Sequence, residues 1–104
     1  MDNFKNVSVV KKANVYFDGG VTSRTINFAN GEKKTLGIIQ PGEFSFDTGK
    51  KEIMDILSGE CEVLLAGEDQ WQRYAAGDTF EIPANSNFKI KAITLTDYCC
   101  SFVD

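Results

Sequence analysis

The strongest constraint on this chain is its punctuation. Asp18-Gly19-Gly20, Asn30-Gly31, Pro41-Gly42, Gly49-Lys50-Lys51, Ser58-Gly59, Gly67-Glu68-Asp69, Ala76-Gly77-Asp78 and Pro83 are turn signals, and they recur about every eight to twelve residues. The stretches between them are too short for helices, and no longer window keeps a 3.6-residue period. They alternate instead. Val21 and Ser23 fall on one face of the stretch Val21 to Phe28, with Arg24, Ile26 and Phe28 on the other. Phe44, Phe46 and Thr48 share a face further on. Asn30-Gly31 is the best hairpin turn in the chain. About ten or eleven short strands with frequent glycine turns predict an all-β fold, either a sandwich or a closed barrel.

With 104 residues, the chain is expected to be one domain spanning 1–104, with residues 1–5 a short flexible N-terminus. Its 42% hydrophobic and 25% charged residues argue against disorder. No apolar run approaches the roughly 20 residues of a membrane helix, so no membrane partner is expected. Met1-Asp2-Asn3-Phe4-Lys5 lacks the basic start and apolar stretch of a secretory signal, which predicts a cytoplasmic protein. The net charge is −4, and the basic residues cluster only as the pairs Lys11-Lys12, Lys33-Lys34 and Lys50-Lys51. A nucleic-acid partner is not expected from so acidic a chain.

The chain contains no histidine. That excludes Ser-His-Asp triads, Cys-His pairs and histidine-based zinc or iron sites. Acid–base work falls to carboxylates, lysine, tyrosine or a substrate's own phosphate. Cys61, Cys99 and Cys100 do not have metal-motif spacing and read as small buried hydrophobes in a reducing compartment. Adjacent in a strand, Cys99 and Cys100 should point to opposite faces.

Two stretches resemble the paired motifs of the cupin superfamily. Glu52, six residues and Gly59 match the end of the first motif, and Gly77, five residues and Pro83 match the start of the second. The fold implied is a single cupin-type jelly-roll β-barrel. The departures are informative. The histidine positions of the metal-binding cupins hold Phe46, Thr48 and Phe88, and Asn85 replaces a glycine. One carboxylate does not hold a transition metal tightly, so no metal is expected.

Within the cupins, the chain from about Asn6 resembles the pyrimidine/purine nucleoside phosphorylase family. The resembling stretches include Asn14-Val15-Tyr16-Phe17-Asp18-Gly19, Leu36-Gly37-Ile38, Pro41 to Thr48, Leu57-Ser58-Gly59, Trp71 to Gly77 and Phe80-Glu81-Ile82-Pro83. The resemblance implies phosphorolysis: a nucleoside and phosphate give free base and ribose 1-phosphate. It implies nucleosides as partners, inorganic phosphate as co-substrate and no cofactor. The alternatives are a metal-free cupin that binds a sugar or nucleotide without turnover, and a structural domain acting through a dimer surface.

The site residues follow from alternation and motif position. Glu52 is the catalytic candidate, placed at the barrel mouth to hold ribose hydroxyls or steady an oxocarbenium charge. Arg24, a charge on an apolar strand face, is the candidate phosphate grip, with Lys33 and Lys34 weaker ones. Phe46, Phe88 and Tyr98 are candidates to stack on the base, and Thr48 to bond phosphate or ribose. Lys89 and Lys91 should lie outside, and Glu81 and Asp55 on the surface. Apolar residues such as Ile53 and Leu57 on the opposite face suggest a homodimer.

Overall fold

A computed structural model describes residues 2–104, which form eleven strands and one short 3-10 turn. The strands are β1 (Val7–Val9), β2 (Asn14–Tyr16), β3 (Val21–Phe28), β4 (Lys33–Ile39), β5 (Gly42–Asp47) and β6 (Lys51–Ser58). They continue as β7 (Glu60–Leu65), β8 (Gln72–Ala75), β9 (Thr79–Ile82), β10 (Asn87–Ala92) and β11 (Thr96–Val103). The turn, Phe17–Gly19, follows β2. Met1, the start of the expected flexible N-terminus, lies outside the described residues. Residues 2–5 form no strand, but the Phe4 ring meets Phe28 edge-on at 5.1 Å.

All the ladders are antiparallel and build two sheets. The larger runs β1-β3-β4-β11-β6-β9, with β2 beside β1 on the same edge of β3, and the smaller runs β5-β10-β7-β8. Neighbours in space are mostly distant in sequence, as in a jelly roll. The core lies between the sheets, with Val21, Ile39 and Ile56 from one packed against Val63, Phe88 and Ile90 from the other. The expected stretch Val21 to Phe28 is β3 to the residue. β10 stops at Ala92, because the amides of Ile93 and Thr94 turn back to the Glu60 carbonyl at 2.9 and 3.4 Å. Asn85, in the place of the usual cupin glycine, adopts a left-handed φ of 52°.

Pairing fixes which residues share a face. Across the larger sheet one inward row reads Thr25, Thr35, Cys100, Met54, Phe80, and the next reads Ser23, Gly37, Tyr98, Ile56. Gly37 leaves the space that the Tyr98 ring fills. A Cβ there would stand 2.6 Å from both Cζ and Oη of Tyr98 and 2.5 Å from the Thr22 carbonyl oxygen.

Candidate active site

The two sheets enclose a cavity of about 310 Å³, near the lower end of the roughly 300–1,000 Å³ typical of small-molecule sites. The larger sheet lines it with Ser23, Thr35, Glu52, Tyr98 and Cys100, and the smaller sheet lines it with Phe46, Phe88 and Ile90.

Glu52 opens β6, where alternation turns it inward with Met54 and Ile56. Its Oε1 accepts a hydrogen bond from the Cys100 thiol at 3.5 Å. Burial pushes the Glu52 carboxyl upward, and the bond from Cys100 offsets part of that rise. Burial, and then the Glu52 charge, pushes the Cys100 thiol far above its ordinary range. Cys100 is therefore a protonated donor that steadies the carboxylate, not a nucleophile. Burial likewise pushes the Tyr98 phenol up, with the neighbouring Cys100 adding to the rise and a hydrogen bond with Ser23 opposing it. Asn14 donates to Ser23 Oγ at 3.2 Å and to Thr25 Oγ1 at 3.1 Å, so the polar groups behind Tyr98 are held in place.

The aromatic wall is a cluster. Phe46 and Phe88, partners in the β5–β10 ladder, stack with centroids 5.7 Å apart and planes at 23°. Tyr16 and Phe17 meet Phe46 edge-on at 5.7 and 5.4 Å, and Phe17 also touches Phe44. Phe17 and Asp18 hold this position with φ of 53° each, a conformation rare for a bulky side chain.

Four expected site residues thus meet at the cavity: Glu52, Phe46, Phe88 and Tyr98. Two do not. Arg24 projects from the other face of β3, exposed, where its guanidinium donates to the Lys11 carbonyl. The apolar neighbours that made it look inward are covered separately: Ile26, only 4% exposed, pairs with Val9 of β1 on that outer face. Thr48 lies beyond the end of β5, and its hydroxyl donates to the Pro83 carbonyl at 2.7 Å and accepts from the Ser86 amide at 2.9 Å. It ties two loops together instead of facing a ligand. Lys34 lies outside, with its ammonium over the Phe4 and Phe28 rings. Glu81 pairs with Lys51 at 3.1 Å, and Asp55 accepts from Thr79 Oγ1 at 2.7 Å. Lys91 lies outside against Glu62 and Trp71. Cys99 and Cys100 do take opposite faces, with Cys100 lining the cavity and Cys99 a groove on the outer face of the larger sheet.

Tyr16, Ser23, Thr35 and Cys100 were not among the expected site residues. A usable signal existed for two of them: Ser23 shares the β3 face with Val21, and Cys100 shares the β11 face with Tyr98. For metal binding the donor set does not fit. Glu52 is flanked by a protonated thiol and aromatic rings, and among the described residues no three His, Cys, Asp or Glu side chains gather to hold an ion.

Two facing antiparallel sheets in this order, around a cavity that Glu52 helps to line, form a cupin-like jelly-roll fold. A cupin from Shewanella frigidimarina NCIMB 400 has the same fold, with a TM-score of 0.70 at 16% identity over 97% of this chain and 86% of that one. A protein of unknown function from Acinetobacter sp. ADP1 superposes with a TM-score of 0.94 at 43% identity, covering 97% of this chain and 98% of that one. The family model described as pyrimidine/purine nucleoside phosphorylase matches residues 11–102. Proteins of that name from Geotalea uraniireducens (strain Rf4) and Geobacter sulfurreducens are each 58% identical, the first over 100% of both chains and the second over 99% of both. The chain belongs to the pyrimidine/purine nucleoside phosphorylase family.

Proposed function

We propose that this cupin catalyses phosphorolysis of purine and pyrimidine nucleosides. The family supplies the reaction class. The observation that carries the reading to this chain is the division of the cavity between a polar wall that carries Glu52 and an aromatic wall built on Phe46 and Phe88, with Asp47 also among the lining residues. An aromatic face accepts any base, because every base has a π-face, and this suits broad base tolerance. Glu52 is suited to hold ribose hydroxyls and to steady positive charge on the sugar as the bond to the base lengthens.

The reaction balances without a cofactor. A phosphate oxygen forms a bond to C1′ as the bond from C1′ to the base nitrogen breaks. The electron pair of that bond leaves with the base, and the proton of hydrogen phosphate ends on the base nitrogen. Phosphate arrives anionic and nucleophilic, so the site needs no residue to activate water. Positioning and electrostatics carry the rate.

Incubation with a nucleoside panel, with and without phosphate, tests this. Base release is expected only with phosphate. Release that ignores phosphate makes the protein a hydrolase, and ligand binding with no release makes it a binding module. Chelator is expected to leave the activity intact.

We also propose a cytoplasmic homodimer. Leu57, half exposed on the outer face of the larger sheet, and its neighbour Ile53 favour association through that face. Sedimentation as a monomer at micromolar concentration would overturn the dimer. Among the described residues no helix is long and apolar enough to cross a membrane.

A further inference from the structure

We propose that Lys33 grips the phosphate, at the mouth of the cavity on the side of Phe102 away from Glu52. The proposal rests on the phosphorolysis reading, and it fills the role that Arg24, on the outer face, cannot.

Register carries the argument. Lys33 precedes Thr35 by two residues in β4, so it projects from the face that lines the cavity. On β6, Glu52 projects from that face too, and between them on β11 stands Phe102, the ladder partner of Glu52. The Lys33 ammonium sits 5.1 Å from the centroid of the Phe102 ring, and Phe102 lines the cavity. Lys33 and Glu52 stand on strands two places apart, about 10 Å between backbones. Lys33 is exposed and is not itself among the lining residues, so it meets the cavity at its mouth through Phe102, with the carboxylate kept off the anion.

Six of the other ten cations have partners elsewhere. Lys50 pairs with Asp104, Lys51 with Glu81, Arg73 with Glu60 and Lys91 with Glu62. Lys34 lies over Phe4 and Phe28, and Arg24 is held by the Lys11 carbonyl. Among the described residues Lys33 has no carboxylate partner, and its contact is an aromatic face that positions an ammonium without neutralising it. A lysine of this kind, a compact charge on a flexible stem, suits an incoming anionic nucleophile that must later leave as part of the product.

The test compares Lys33→Ala, Lys33→Gln and Lys33→Arg with the wild type by steady-state kinetics. With Ala or Gln, the KM for phosphate should rise about tenfold or more, as for loss of one charge-assisted hydrogen bond. The KM for nucleoside and the kcat at saturating phosphate should stay within about twofold. Arg should restore most of the phosphate affinity. A second readout needs no turnover: inorganic phosphate should raise the Tm of the wild type and not that of Lys33→Ala. An unchanged phosphate KM in Lys33→Ala, with an active wild type, overturns the proposal and leaves the phosphorolysis reading standing. If the wild type releases no base, that reading fails, and the melting experiment decides Lys33 alone: protection lost in Lys33→Ala supports it, and protection retained or absent altogether overturns it.

Discussion

The two sheets meet at one cavity but bring different chemistry to it. The larger contributes hydroxyls, a phenol, a thiol and a carboxylate, through Ser23, Thr35, Tyr98, Cys100 and Glu52. The smaller contributes mainly rings, through Phe46 and Phe88 stacked at 5.7 Å, with Asp47 as its charged lining residue. A ligand between them is held by directional bonds on one side and by area on the other. On the proposed reading, the directional side addresses what the substrates share, a sugar, and the ring side what differs, the base. The difference teaches how one small cavity can be strict about one half of a molecule and permissive about the other.

The comparison breaks most sharply at Glu52. Glu52→Gln keeps the volume and removes the charge, and turnover should fall by about 10²-fold or more, read as kcat in the phosphorolysis assay. The same variant has a stability signature of known sign. Burial raises the folded-state pKa of Glu52 above its ordinary 4.5, so the stabilising contribution of the carboxyl is complete below that value and is lost as pH rises through the folded pKa. Glu52→Gln should therefore melt higher than the wild type at pH 7, with the gap closing as pH falls through the folded pKa toward 4.5. A variant that melts no higher at neutral pH sinks the claim that the charge is held at a cost.

Next in size is the seam of the polar wall. Gly37→Ala drives a methyl into the Tyr98 ring and the Thr22 carbonyl oxygen, which cannot both move aside. Urea denaturation should show a loss of about 1–3 kcal/mol, and equal midpoints would mean that Tyr98 is not seated as described.

On the ring side, Phe46→Leu should weaken binding of purine and pyrimidine nucleosides alike, by about 1–2 kcal/mol, the scale of one lost stacking contact. An effect confined to one base class would show that the ring wall reads identity after all. The smallest effect is expected at Arg24: Arg24→Ala should leave the KM for phosphate and for nucleoside unchanged, and a raised phosphate KM would return Arg24 to the site.

Much of the fold was legible because strand signals are local. The Asp18-Gly19-Gly20 and Asn30-Gly31 turns bracket Val21–Phe28, and the strand fills that span. Glu52, Phe46 and Phe88 were legible from their motif positions, and Tyr98 as an aromatic ring whose buried phenol needs a partner. Arg24 was misread because alternation defines two faces and does not say which one faces the cavity. The N-terminal segment covers the outer face of β3, so Ile26 is buried there while standing apart from the core between the sheets. Thr48 was misread because it stands at a ligand position of the metal-binding cupins, whereas here it lies just past the end of β5 and its hydroxyl is taken by Pro83 and Ser86. Tyr16 escaped because its placement depends on the strained turn at Phe17 and Asp18, and left-handed backbone at a phenylalanine leaves no mark in a sequence.

The back-to-back cysteines of β11 turn one strand into a pair of gauges. Cys100 opens to the gap between the sheets and Cys99 to the groove beneath the N-terminal segment, and each is 5% exposed or less. Burial holds both thiols protonated, so an alkylating reagent finds neither while the fold is closed. Labelling at Cys100 therefore times the parting of the two sheets, and labelling at Cys99 times the lifting of the N-terminal segment. The two rates, read by mass spectrometry on the same peptide, separate breathing of the cavity from fraying of the chain's first turn of structure.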